Sequence, residues 1–263
     1  MKHLLSTEGQ EALRGLAGAR ALFAFDFDGT LAPIVARPHD ARAAIGVGQR
    51  LAQLARSAPV AIVSGRALAD LRGRIPIEVR HCIGNHGNEG LPDAPDPETM
   101  HAICRAWTAQ LEAALASAPS SGVVVEDKRL TLALHYRLAR DREQAAREIE
   151  RIARGLEPAP RMIGGKLVLN LLPPGARTKF EALVALADHE GAQRVLFVGD
   201  DETDELVFAQ APAHWITVRV ELDRASHAHY FIHRQSEIVM LLDQLLQIRR
   251  APLARNGDEG PRP

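Results

Sequence analysis

Residues 21–31 read A-L-F-A-F-D-F-D-G-T-L, a short apolar run that gives way to two carboxylates, a glycine and a threonine. The run Leu22 to Phe25 has the length of a buried strand, and continuous apolar runs suit the central strands of a parallel sheet. In open α/β sheets ligands gather beyond the carboxyl ends of the strands, which is where Asp26 and Asp28 fall. Two acids held close together repel. The stretch therefore predicts a cationic partner supplied from elsewhere in the chain.

Working outward, the same texture recurs. Residues 59–63 (P-V-A-I-V) form a second buried strand ending in Ser64-Gly65-Arg66, and residues 78–83 form a third, closed by G-N-H-G-N-E-G at 84–90. Helices reaching to about Arg56 and over 67–74 separate them, with Val47, Leu51 and Leu54 on one face of the first. Alternating strands and helices predict a parallel sheet with right-handed crossovers. Residues 1–19 are polar and helix-compatible and lead into the first strand.

The proline-rich L-P-D-A-P-D-P at 91–97 marks a boundary. Beyond it lie a helix over 98–117, strands over 122–128 and 129–138, a charged helix over 141–155, and a strand pair, 161–163 and 166–172, turning at Gly164-Gly165. After Pro173-Pro174-Gly175 the first texture returns: a helix over 177–190, a strand over 194–198 capped by G-D-D-E-T-D (199–204), a strand over 215–220 and a helix over 236–249. The reading is an α/β fold. A Rossmann-like parallel core, residues 1–91 and 174–250, is interrupted by an inserted α+β domain, 92–173, and followed by a disordered tail, 251–263.

Composition narrows the function. With 263 residues, 46% apolar and 25% charged, the chain has the profile of a soluble globular protein. A net charge of -1 and only 4% aromatics give no basic surface or stacking platform for nucleic acid and no attraction to an anionic membrane. Two cysteines, Cys82 and Cys104, in so long a chain fit a reducing cytosol. No signal peptide or membrane span is visible, so a cytoplasmic protein is expected.

Three core segments end their strands in reactive side chains: Asp26 and Asp28, Ser64, and Asp200, Asp201 and Asp204. Lys179 enters with the helix after the insertion. The carboxylates suit a hard cation, and magnesium takes few of them together with phosphate oxygens. Gly29, Thr30, Ser64 and Lys179 are donors or cations suited to a phosphoryl group. An anionic nucleophile ~4 Å from an anionic phosphate meets about 4 kcal/mol of repulsion at an effective dielectric of 20, so neutralisation must come first. His227, His229 and His233 lack partners at ligand spacing and read as surface. Trp107 and Trp215 read as core.

Asp26-Phe27-Asp28-Gly29-Thr30-Leu31, Ser64, Lys179 and Gly199-Asp200-Asp201 resemble the four motifs of the haloacid-dehalogenase-like phosphatases. Gly84-Asn85-His86-Gly87, Val125-Glu126-Asp127-Lys128, His135-Tyr136-Arg137 and the acidic string 199–204 resemble the trehalose-6-phosphate phosphatases, over nearly all of residues 21 to 211. The resemblance implies that Asp26 attacks phosphorus and that Asp28 protonates the leaving sugar oxygen and then activates water. It implies Mg²⁺ held by Asp26, the Asp28 backbone carbonyl and Asp200, with Asp204 and Asp201 nearby. The phosphate would meet Gly29, Thr30, Ser64, Gly65, Arg66 and Lys179, and His86 and Asp201 would complete the substrate pocket. A functional link to a trehalose-6-phosphate synthase follows from the same resemblance.

Strand alternation carries the argument into the insertion. Lys166, Val168 and Asn170 share one face, as do His135 and Arg137, and as do Glu126 and Lys128. The opposite face is leucine-rich. A polar face of this kind is either solvated, as antiparallel sheets often are, or a reader of sugar hydroxyls. Two residues depart from the family pattern: Asn170 stands where a glutamate is usual, and Phe180 where a glycine usually follows the lysine. A phosphatase for another sugar phosphate (a different disaccharide or glucosylglycerol phosphate), a phosphomutase or phosphotransferase, and a sugar-phosphate sensor remain as alternatives.

Overall fold

The computed structural model describes residues 1–116 and 122–250; the segment expected as a tail lies outside the described residues. In chain order the elements are β1 (Lys2–His3), α1 (Thr7–Arg14), β2 (Ala21–Phe25), α2 (Ile45–Leu54), β3 (Val60–Val63), α3 (Leu68–Arg72), β4 (His81–Ile83), α4 (Pro97–Ala116), β5 (Val124–Asp127), β6 (Leu132–His135), α5 (Arg142–Ala153), β7 (Arg161–Gly165), β8 (Val168–Leu172), α6 (Lys179–His189), β9 (Arg194–Gly199), α7 (Glu202–Gln210), β10 (Ile216–Val220), β11 (Tyr230–Ile232) and α8 (Ile238–Arg250).

Among the described residues, seven strands form one sheet in the order β1-β11-β10-β9-β2-β3-β4, every neighbouring pair parallel. All five residues of β2 are buried, because both faces of the sheet are covered. Phe23 and Phe25 pack with Val47 and Leu51 of α2 and Leu242 and Leu245 of α8. Leu22 and Ala24 pack on the other side with Leu183 and Leu186 of α6 and Val207 and Phe208 of α7. Burial on both faces is why the strand reads as a continuous apolar run rather than an alternating one. After β2 the chain moves outward through β3 and β4; on its other side lies β9, made much later. Strand order thus reverses beside β2, where α/β sheets open a binding crevice.

The inserted residues build a second, antiparallel sheet in the order β5-β6-β8-β7. Leu132, Leu134 and Leu171 pack against Trp107 and Leu111 of α4 and Ile149 and Ile152 of α5. Register places Glu126, Ala133, Asn170 and Ile163 in one row across the opposite face, and Val124, His135, Val168 and Gly165 in the next. Trp107 and Trp215 are buried, as expected.

Some elements differ from their sequence reading. The hairpin between β7 and β8 turns at Lys166 and Leu167, with Leu167 at φ 64°, while Gly164 and Gly165 belong to the strand. The strand expected over 129–138 is only β6, so Arg137 falls in an exposed turn after it. Residues 1–19 contain a two-residue strand as well as a helix, and β11 and α7 were not anticipated. None of the described helices is long and apolar enough to cross a membrane.

Candidate active site

Asp26 follows β2 directly, and its amide donates to the Val198 carbonyl of β9 at 2.8 Å, so the central strand pair fixes it. Across the crevice, Asp200 and Asp201 follow β9, and Asp204 lies in the first turn of α7. Asp201 is the N-cap of that helix: its Oδ1 accepts from the amides of Thr203 at 2.8 Å and Asp204 at 3.1 Å. Thr178 caps α6 in the same reciprocal arrangement with Glu181, which places Lys179 at the first helical position. Two helix starts therefore aim at the end of β2.

Lys179 joins them. Its Nζ donates to Asp26 Oδ1 at 2.6 Å and to Asp204 Oδ1 at 2.8 Å, and all three residues are buried. The other Asp204 oxygen accepts from the backbone amides of Asp200 (2.9 Å) and Asp201 (3.2 Å). Carboxylate oxygens of Asp26, Asp200 and Asp204 lie within 4.8 Å of one another. Burial raises Asp26 well above the usual carboxylate range despite the opposing pull of Lys179. Burial, reinforced by Asp204 and Asp201, pushes Asp200 up to about 8; burial lifts Asp204 to about 6 against Lys179. Burial alone would lower Lys179, but Asp204 and Asp26 outweigh it and hold the ammonium well above its ordinary value. Asp201 goes the other way, because Lys179 and the Thr203 hydroxyl outweigh its burial.

Four acids around one lysine leave a deficit of positive charge. Asp26 and Asp200 present hard oxygen ligands to one point, so the donor set fits a divalent cation. Gly29 belongs to the same construction: at φ 77° it is in the left-handed region, and a Cβ there would land on the Asp200 carboxylate. Thr30 Oγ1 reaches Asp200 Oδ1 at 3.5 Å, and Ser64 is buried at the end of β3.

Asp28 is placed differently from Asp26. Its carboxylate is gripped by Arg66 through two bonds of 2.6 Å, from Nε and from Nη2, and Arg66 is braced by Asp70 at 3.0 Å and lies 5.7 Å from the Phe27 ring centre. Gly65 allows the His86 ring to approach, since a Cβ would meet Cε1 at 2.5 Å. His86 is buried at φ 60°, and neither ring nitrogen has a partner of good hydrogen-bonding geometry. Burial, with Lys128 and Lys179 nearby, pushes its imidazole down to about 3, so it is neutral.

The inserted sheet turns its polar face to this crevice. Lys128 is in the electrostatic reach of Arg66, Asp28 and Asp201, and burial lowers its ammonium against the pull of Glu126. Glu126 Oε2 is 2.8 Å from His135 Nε2 and 3.9 Å from Lys128 Nζ. Asn170 adjoins His86, and its Nδ2 donates to the Ile163 carbonyl at 3.4 Å. The sequence-predicted residues on this face are thus brought together, with two exceptions. Lys166 sits in the exposed hairpin turn and Arg137 in an exposed turn, both off the strands that were expected to carry them. Residues that sequence reasoning missed are Asp70, behind Arg66, and Thr131, whose hydroxyl donates to Asn85 Oδ1 at 2.9 Å. Asp70 stands four positions after Arg66, a spacing at which a helical turn brings side chains together, whereas Thr131 carries no chain signal because its partner is 46 positions away.

Residues 24–233 match the family model described as trehalose-phosphatase. A trehalose-phosphate phosphatase of Mycobacterium tuberculosis is 34% identical over 91% of the chain, which spans 65% of that relative's length. Among solved structures, an Aspergillus fumigatus trehalose-6-phosphate phosphatase is 26% identical with a TM-score of 0.63, covering 94% of this chain and 99% of its own. The C-terminal domain of a Candida albicans trehalose-6-phosphate phosphatase superposes at a TM-score of 0.71 with 20% identity, covering 94% and 98%, a likeness of fold.

Proposed function

The chain belongs to the trehalose-phosphatase family, and from that membership we propose that it hydrolyses trehalose 6-phosphate to trehalose and inorganic phosphate through an aspartyl-phosphate on Asp26. The observation that carries this reading is the buried Lys179 bridge between Asp26 and Asp204 at the carboxyl end of the central strand, beneath a polar sheet. A divalent cation such as Mg²⁺, held by Asp26, Asp200, the Asp28 backbone carbonyl and Asp204, would supply neutralising charge for the phosphate oxygens.

The rest falls to the chain's own groups. Lys179 holds the Asp26 carboxylate in one orientation and screens it from the approaching dianion. Ser64 and the Gly29–Thr30 turn present donors to the phosphate oxygens. Asp26 displaces the sugar oxygen at phosphorus, which splits one difficult displacement into two. Asp28 gives a proton to that oxygen and takes one from the water that opens the acyl-phosphate. The Arg66 fork keeps the Asp28 carboxyl aligned between those two transfers. Residues 92–173 act as a cap: Glu126, Lys128 and His135 offer acceptors and donors to sugar hydroxyls and exclude water. A synthase producing a sugar phosphate would stand upstream.

Phosphate release from a panel of sugar phosphates, with and without Mg²⁺, tests the assignment. Trehalose 6-phosphate should be hydrolysed at least tenfold faster than glucose 6-phosphate, and only with the cation. Equal rates on the two would end the substrate assignment. Asp26→Asn should remove turnover by three or more orders of magnitude; substantial residual turnover would end the covalent route.

A further inference from the structure

The inserted sheet meets the core at its connecting segments, along β7, which packs on α7 with Leu206 against the cluster of Ile163 and Leu172, and at the β5–β6 edge. Near the connecting segments, Arg177 forms a paired ion bridge to Asp93 at 2.7 and 3.0 Å, and Asn88 exchanges bonds with the Arg177 amide and carbonyl at 2.7 and 3.0 Å. Arg161 and Glu181 pair at 3.1 Å, but both side chains are about half exposed, where such pairs are weak. All of these involve Arg177 or α6, close to the point where the chain re-enters the core. They tie the connection, and the packing of β7 on α7 seats one edge of the sheet; neither reaches the opposite edge, where β5 lies.

Asn85 makes a polar contact at that opposite edge. It is fully buried, at φ 47° in the loop after β4, a conformation that Asn adopts more readily than most residues. Its Oδ1 accepts from Thr131 Oγ1 at 2.9 Å, and its Nδ2 donates to the Lys128 carbonyl at 3.1 Å. Both partners lie in the turn between β5 and β6, which is closed by the Lys128 amide donating to the Thr131 carbonyl at 3.0 Å. The carboxamide cannot turn over without loss, because Nδ2 also donates to Glu89 Oε2 at 2.9 Å. That oxygen is itself held by the Leu68 amide at 2.6 Å. Thr131 is likewise buried. One core side chain thus grips the tip of the hairpin whose Lys128 faces Asp28 and Asp201.

We propose that Asn85 is a positioning residue that latches the β5–β6 hairpin onto the core and so sets the placement of Lys128, making sugar-phosphate recognition depend on a bond remote from the substrate. The latch rests on the reading of the inserted sheet as the sugar-recognising element. A small ester such as p-nitrophenyl phosphate, lacking a sugar, needs the core groups alone. Loss of the latch should therefore separate the two substrates.

Thr131→Val keeps the side-chain shape and removes the hydroxyl; Asn85→Gly keeps the left-handed backbone and removes the carboxamide. Each should raise KM for trehalose 6-phosphate about tenfold, the scale of one or two buried hydrogen bonds. Hydrolysis of p-nitrophenyl phosphate should stay within twofold. The double variant should be no worse than Asn85→Gly, since both changes break the same bond. Equal losses on both substrates, or additive effects, would overturn the latch. Amide hydrogen exchange supplies a readout independent of the substrate. In Asn85→Gly, residues 124–135 should exchange faster than in the parent chain while residues 21–25 are unchanged. No difference at 124–135 overturns the proposal even where trehalose 6-phosphate proves not to be the substrate; a parent chain inactive on that ester counts only against the substrate.

Discussion

His86 shows how a single side chain can couple the site to stability. Its imidazole is buried between Gly65 and Asn170 and its titration is pushed down to about 3, first by burial and then by Lys128 and Lys179. In the unfolded chain it takes up a proton near pH 6.5. Between those values the unfolded state binds the proton that the folded state refuses, so stability falls as pH drops from 6.5 towards 3, by up to about 1.4 kcal/mol per pH unit. Above 6.5 the contribution is complete. His86→Gln should shallow the fall of Tm between pH 6.5 and 4.5, measured by thermal melts of both proteins. An unchanged slope would mean that His86 is not the group refusing the proton.

At the scale of elements, the helix starts assign different work to two adjacent acids. Asp201 spends its Oδ1 on capping α7, whereas among the described residues the Asp200 carboxylate has only the distant Thr30 hydroxyl as a hydrogen-bond donor, at 3.5 Å. Asp201→Ala should cost about 1 kcal/mol of stability through the lost cap. On the proposed cation site, Asp200→Asn should instead abolish Mg²⁺ binding and spare the cap. Calorimetric titration with Mg²⁺ beside denaturant unfolding checks the pair; the reverse pattern would exchange their roles. Elements were also where the sequence was most unevenly legible. β2, β3 and β9 were readable because burial on both faces leaves an unbroken apolar run. β1 and β11 are two and three residues long, too short for any period. The Gly164-Gly165 pair imitates a turn, yet Val168 lies opposite Gly165, so the strand continues through both glycines. The alternation that put Glu126, His135 and Asn170 on one face was legible because a period of two survives even in short strands. Arg137 escaped it because β6 stops at His135. The Asn85–Thr131 bond could not be read at all, since 46 positions separate its partners.

For the whole molecule, the buried acids make cation binding and proton binding alternatives. Asp200 is pushed up to about 8 and Asp204 to about 6, in each case chiefly by burial, while both titrate near 3.8 when unfolded. Between those limits the metal-free fold takes up protons on folding, and the contribution of these groups to stability declines as pH rises. A divalent cation must displace those protons. With the cation site as proposed, Mg²⁺ should raise Tm little at pH 6 and by several degrees more at pH 8. Thermal melts with Mg²⁺ and with a chelator test this, and a shift independent of pH would contradict it.

The neighbour that completes β2 comes late. Thr30, just past β2, and Asp200, just past β9, are separated by 170 positions, and the inserted sheet is made in between. During synthesis at ~5–20 residues per second, β2 can pair with β3 almost at once but waits about 10–30 s for β9. For that interval a fully apolar strand has an open edge, the kind of surface on which chains aggregate. The nascent chain thus carries its future centre as an exposed flank until β9 is made.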